Sequence, residues 1–104
     1  MSKQTNVENL IKKANEIVKR NQFGDRDVSS TFLRNLMDNA LKKNKPFLQA
    51  YIYYQMARFK KTERFCNDLL DSIKDMDISD IIELLSYIIW LAKYKERFNK
   101  NPQI

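Results

Sequence analysis

The sequence predicts an all-α fold: one compact bundle of five helices, or six if the third and fourth divide differently. Three observations carry that expectation. The chain of 104 residues is the length of one ordinary domain and can bury a real core, with a radius of gyration of roughly 13 Å. One Gly and two Pro leave little of the turn chemistry a sheet requires. Apolar residues recur at helical spacing through almost the whole chain, with no internal repeat, linker or low-complexity segment between them. Residues 1–104 therefore read as a single helical domain.

Each helix has its own signature. In residues 6–20, "NVENLIKKANEIVKR", the residues Val7, Leu10, Ile11, Ala14, Ile17 and Val18 make one stripe, and Lys12, Lys13, Lys19 and Arg20 fall off it. The helix stops at "NQFGD", where Gly24 is free to take a positive φ. The second helix lies in "DVSSTFLRNLMDNALKK", capped by Ser29 or Ser30. Its stripe is Phe32, Leu33, Leu36, Met37, Ala40 and Leu41. Pro46 disfavours helix for Lys45 and is tolerated in the first turn of the next helix.

The third helix spans about Pro46 to Phe59. Leu48, Ile52, Gln55, Met56 and Phe59 share one side, and the other side, with Ala50, Tyr53 and Ala57, is also uncharged. A helix apolar nearly all round is expected at the centre of a bundle, with Ala50 and Ala57 admitting a close neighbour. A fourth helix carries Phe65, Leu69, Leu70 and Ile73, with Thr62 as its expected cap. No Gly or Pro separates it from the third helix, so the two could be continuous. The last helix runs from about Asp80 to Asn99 behind a Ser79 cap. It carries Ile81, Ile82, Leu84, Leu85, Ile88, Ile89, Leu91 and Ala92. The tail at 100–104 is expected to fray.

The net charge is +6, with a pI near 9.5, which favours a polyanionic partner. The charge is also uneven. Residues 1–64 hold fourteen Lys/Arg against six Asp/Glu, and residues 65–104 hold five against seven. A lysine-rich solvated surface is the plain alternative.

Most catalytic chemistry has no residues to carry it. The chain contains no His, which removes the commonest general base and metal ligand together. No glycine-rich phosphate loop and no zinc spacing occur, and no cofactor is expected. Asp68, Asp71 and Asp75 share one helical face by spacing; a Mg²⁺ site could be drawn there, but a solvated acidic helix face is far the commoner origin of such a pattern. Cys66 is the single cysteine and reads as a buried, inert thiol. The start "MSKQTNVENL" lacks an apolar signal region. The longest apolar stretch, "IIELLSYIIWLA", contains Glu83 and is too short to span a bilayer. A cytoplasmic protein without a membrane partner is the expectation.

The cations are the candidate site. Arg58, Lys60, Lys61 and Arg64 place four of them in a seven-residue stretch. Arg58 shares a helical edge with Tyr51 and Tyr54, so a guanidinium could hold a phosphate while the rings stack on bases or stiffen it. Arg34 stands alone on the second helix. Lys42, Lys43 and Lys45 suit that helix's C-terminal dipole and rank as additional contacts. No sequence-reading element appears, so any nucleic acid is gripped through its phosphates.

Three segments carry a resemblance: "VSSTFLRNLMDNALKKN", "FLQAYIYYQMARFKK" and "IIELLSYIIWLAKYK". The shared features are a Ser/Thr-rich cap running into Leu33-Arg34, an apolar helix with Leu48, Ala50-Tyr51 and Ala57-Arg58, and an aromatic-rich helix from Tyr87 to Tyr94. In order and spacing these resemble the small helical subunit of type III-A CRISPR–Cas effector complexes. The likeness covers about residues 28–97. The related type III-B small subunit is the alternative, the first helix matches least, and the role of residues 1–24 stays open. The resemblance implies a non-catalytic antiviral-defence subunit that stacks in several copies beside the other subunits of the complex. It implies contacts to the backbone of the guide–target duplex and of the target RNA, with sequence read by base pairing. By the same resemblance Arg34 and Arg58 are the principal RNA contacts, supported by Lys60, Lys61 and Arg64. A helical adaptor joining proteins, with the acidic stretch 68–83 and the last helix as its interface, is the alternative from another class.

Overall fold

The computed structural model describes residues 3–104; Met1 and Ser2 lie outside them. In chain order the helices are α1 (Lys3–Arg20), α2 (Ser30–Lys42), α3 (Lys45–Arg58), α4 (Glu63–Ile73) and α5 (Ile78–Phe98), with one 3₁₀ turn at Lys60–Thr62. Among the described residues there is no sheet, only an isolated bridge between Phe23 and Val28. The radius of gyration is 12.9 Å, the compactness of a single packed domain. No helix among the described residues is long and apolar enough to cross a membrane.

The core forms where α5 lies against α1 and α2. Ile81, Leu84, Leu85, Ile88 and Ala92 are the buried stripe of α5, and they meet Leu10, Ala14, Ile17 and Val18 of α1 and Leu33, Leu36 and Ala40 of α2. The helix placed centrally by sequence is instead peripheral. Only Leu48, Ile52 and Gln55 of α3 are buried, and α3 packs on α2 and α4 rather than on α5. Its far side is apolar by way of Ala50 and Ala57, which are exposed, and of Tyr53 and Tyr54, 60% and 57% exposed. Alanine has little area to bury, and a tyrosine tip needs a polar partner or water. The leucines and isoleucines of α5 gain more from burial, at about 25 cal/mol per Å². Leu41, expected in the α2 stripe, is also exposed, because it sits on the last turn where no other element covers it.

The ends of the helices follow local chemistry. Gly24 takes φ 145°, and its N–H donates to the Val28 carbonyl at 3.0 Å, closing the α1–α2 loop. Ser29 is the α2 cap, accepting from the Phe32 N–H at 3.1 Å. Asn44 caps α3. Asp77, rather than Ser79, caps α5 by accepting from the Asp80 N–H at 2.9 Å, so α5 begins at Ile78. Asn99 ends it in the left-handed region, φ 54°, which asparagine tolerates better than most residues. Beyond it the chain turns back: Pro102 is buried and the tail shares a hollow with Tyr94.

The third and fourth helices are separate. Phe59 breaks α3 with φ −124° and ψ 82°, and the 3₁₀ turn redirects the chain into α4. Thr62 holds the bend. It does not cap α4 through its side chain; its buried hydroxyl donates to the Phe59 carbonyl at 2.7 Å and accepts from the Cys66 thiol at 3.6 Å.

Candidate nucleic-acid interface

The cations at 58–64 are arranged by that bend. Arg58 is the last residue of α3, Lys60 and Lys61 lie on the 3₁₀ turn, and Arg64 opens α4. The four therefore fan around a corner, and all are exposed. Arg58 is the most organised of them. Its guanidinium stands 4.8 Å from the Phe59 ring centre and 5.8 Å from that of Tyr54, distances at which a ring face attracts a cation. It makes no ion pair among the described residues, so its hydrogen-bonding fork is free for a ligand.

Arg58 and Lys61 line a groove of about 260 Å³ between α2 and α3, together with Asn35, Tyr51, Gln55 and Asp27. Tyr51 and Arg58, expected on one helical edge, both line this groove, and the tyrosine ring that meets the guanidinium is that of Tyr54. Lys61 is partly committed: its ammonium donates to the Asp25 carbonyl at 3.0 Å, which ties the bend to the α1–α2 loop. Lys60 and Arg64 carry no ion pair among the described residues.

Arg34 lies elsewhere. It lines a second groove, about 500 Å³, between α2 and α5, with Trp90 and Lys93 opposite it. The two arginines named first by sequence therefore serve grooves on different flanks of α2. Lys42 and Lys43 are exposed, the latter with its ammonium 5.3 Å above the Phe47 ring. Lys45 already has a structural role: it donates to the carbonyls of Lys74 at 2.8 Å and Met76 at 2.5 Å. These are orphan acceptors at the C-terminal end of α4, where a cation also suits the helix dipole.

The acidic half does not stand apart from the basic half. Asp68 accepts from Asn21 Nδ2 at 3.0 Å and pairs with Arg20 at 3.4 Å. With Asp71 it lines a cleft shared with Lys12 and Lys13 of α1. Charge segregated along the sequence is here folded together, carboxylate against amine. Asp75 lies beyond the end of α4 at Ile73, so the three-carboxylate face is not formed. No three Cys, His, Asp or Glu side chains converge among the described residues.

The chain matches no protein-family profile, no curated protein and no solved structure.

Trp90 and Lys93 are the site residues that sequence reasoning missed. The signal was available for Trp90. On a helical wheel it lies opposite Ile81, Leu84, Leu85, Ile88 and Ala92, so it had to leave the core, and it is 67% exposed. Counting it among the apolar run of the last helix concealed that.

Cys66 is buried and unpaired as a thiol. Burial pushes its pKa up. A raised pKa means less thiolate at neutral pH, and the thiolate is the nucleophile. In native protein at pH 8, Ellman's reagent is expected to react with Cys66 at least a hundredfold more slowly than in urea-unfolded protein. Equal rates in the two states would place the thiol at the surface.

Proposed function

We propose that the chain is a non-catalytic, RNA-backbone-binding small subunit of a type III-A CRISPR–Cas effector complex, working in several copies beside the other subunits. The observation that carries the RNA reading is Arg58: an unpaired guanidinium, held by two aromatic faces, beside a groove that also contains Lys61. The likeness over residues 28–97 supplies the type III assignment. The exposed Lys60 and Arg64 extend the positive corner, and guide–target base pairing supplies sequence selection.

Fluorescence anisotropy of the full chain with labelled single-stranded RNA tests the reading. Log affinity should fall linearly with log salt, with a slope near −0.7 per phosphate neutralised. Arg34→Ala with Arg58→Ala should weaken binding about tenfold at 100 mM salt, equally for unrelated sequences, and flatten the slope by about 1.4. Binding that is absent, or indifferent to salt, overturns the reading. A copy tagged at native expression should bring down a multi-subunit complex containing a short RNA.

One observation favours a helical adaptor instead: the uncovered aromatic face of α3, with Phe47, Tyr53 and Tyr54 exposed. Exposed apolar patches of this kind often mark protein contacts. Charge reversal at Lys60 and Lys61 that leaves function intact would favour that role.

A further inference from the structure

The α2–α5 groove is distinct from the Arg58 corner, and its chemistry is that of a nucleotide site. Trp90 stands at its edge, 67% exposed. The ring is not free to wander, because Tyr87 meets it edge-on, with centroids 5.6 Å apart and planes inclined at 65°. An aromatic ring can stack a base, and this indole contacts Tyr87 while most of its surface stays open to solvent. Two cations, Arg34 and Lys93, line the same groove, and neither makes an ion pair among the described residues. Phe23, Val28, Leu33, Met37 and Ile89 form apolar walls. The groove's one carboxylate is Glu96. It lies six residues beyond Trp90 on α5, about 9 Å along the helix axis at 1.5 Å per residue, and points toward Gly24. Lys93 sits midway between Trp90 and Glu96, about 4.5 Å of axial rise from each, so the groove sets two cations against one carboxylate.

We infer that this groove takes a single nucleotide unit of single-stranded RNA, its base stacked on Trp90 and its phosphate held by Arg34 and Lys93. The inference rests on the RNA-binding reading and adds to it a second site, on the other flank of α2, that grips by stacking as well as by charge. It also gives Arg34 a role separate from that of Arg58. A strand bound at both grooves passes over α2.

The chain has a single tryptophan, so its emission reports on this groove alone. Full chain is titrated with decauridylate and decaadenylate, and in parallel with inorganic polyphosphate, which carries the charge without bases. The expected result is quenching of Trp90 emission by both RNAs, stronger with the purine, and no quenching by polyphosphate. Anisotropy with labelled RNA should show Trp90→Ala weakened about tenfold and Trp90→Phe weakened less than threefold, from the usual worth of one base stack. Because Trp90 is mostly exposed, both variants should keep the parent melting curve, which circular dichroism verifies. Salt-dependent RNA binding with unchanged emission and unchanged affinity in Trp90→Ala overturns this inference alone. The Arg58 corner then remains the RNA site. Failure of every RNA arm overturns both readings.

Discussion

Phe65→Ala is expected to lower the free energy of unfolding by about 3–5 kcal/mol. Phe65 is 1% exposed and joins three parts of the chain. Its ring meets Phe23 of the α1–α2 loop edge-on at 6.0 Å and Phe32 of α2 at 6.3 Å. Phe32 in turn meets Phe59, the residue that breaks α3, at 6.4 Å. Edge-to-face pairs add about 0.5–1.5 kcal/mol each beyond the area they bury, and the cavity left by a lost ring cannot readily collapse when its ring neighbours are fixed on the α1–α2 loop and on α2. A domain of this size commonly has about 5–15 kcal/mol in total, so the loss takes a large share. The melting temperature should fall by at least about 12 °C. Urea titration followed by circular dichroism measures the effect. Phe65→Leu should retain most of the stability, since it fills much of the same volume. A loss below about 1 kcal/mol in Phe65→Ala would mean that the four-ring chain is not packed. The same ring chain sets the wall of the α2–α3 groove through Phe32 and Phe59, so the damage should extend to RNA affinity under conditions where the variant remains folded.

Much of the fold was legible because it depends on periodicity. The stripes of α1, α4 and α5 can be read from Leu10 to Ala92, and Gly24 announces its own backbone. What the spacing did not convey is competition between apolar helices for the centre. Both α3 and α5 look greasy, but α3 draws its apolar character from alanine and tyrosine, and α5 draws its from leucine and isoleucine. Counting residues as apolar hid the difference in area per residue that decides which helix is covered. Caps were readable to within two residues: Ser29 was one of two candidates, and Asp77 displaced Ser79 because a carboxylate two residues earlier also reaches the first N–H groups. The cations were harder. A lysine's tip lies several bonds from its backbone, so whether it faces solvent or a distant carbonyl depends on tertiary structure. Lys45 and Lys61 were read as nucleic-acid contacts, yet each donates to main-chain oxygens at least 29 residues away. The contact of Arg58 with Tyr54 was legible because the two lie one turn apart on the same helix, whereas its contact with Phe59 was not, since spacing places Phe59 on the core side.

Lys95 shows the same principle with the largest consequence for the bundle, and Lys95→Met is expected to cost about 2 kcal/mol of stability. Nothing in the sequence distinguishes Lys95 from Lys93, two residues earlier on α5. In the fold its ammonium donates to the carbonyls of Val18 at 2.8 Å, Lys19 at 3.2 Å and Asn21 at 2.6 Å. These oxygens sit at the C-terminal end of α1, where the last turn has no intrahelical donors. The Asn21 side chain satisfies a further one, the Ile17 carbonyl, at 2.8 Å. The lysine is therefore a cap supplied from the other end of the chain, and its charge meets the negative end of the α1 dipole. Burial alone pulls its pKa below the usual lysine value, but three converging carbonyl oxygens favour the charged form, and the amine stays cationic at neutral pH. Methionine keeps the aliphatic stem and removes only the ammonium, so the loss isolates the cap from the packing. Hydrogen bonds to charged groups contribute about 1.5–3 kcal/mol, and partial exposure of Lys95 holds the sum of three near the lower end of that range. The melting temperature should fall by roughly 10 °C, while Lys93→Met leaves it within about 2 °C because its exposed ammonium has no such partners. Hydrogen exchange gives the more discriminating readout. Loss of protection in Lys95→Met should concentrate in the last turn of α1 and the loop through Gly24, ahead of the α2–α5 core. Uniform loss across all five helices would instead mean that Lys95 acts through global packing and not as the cap of α1.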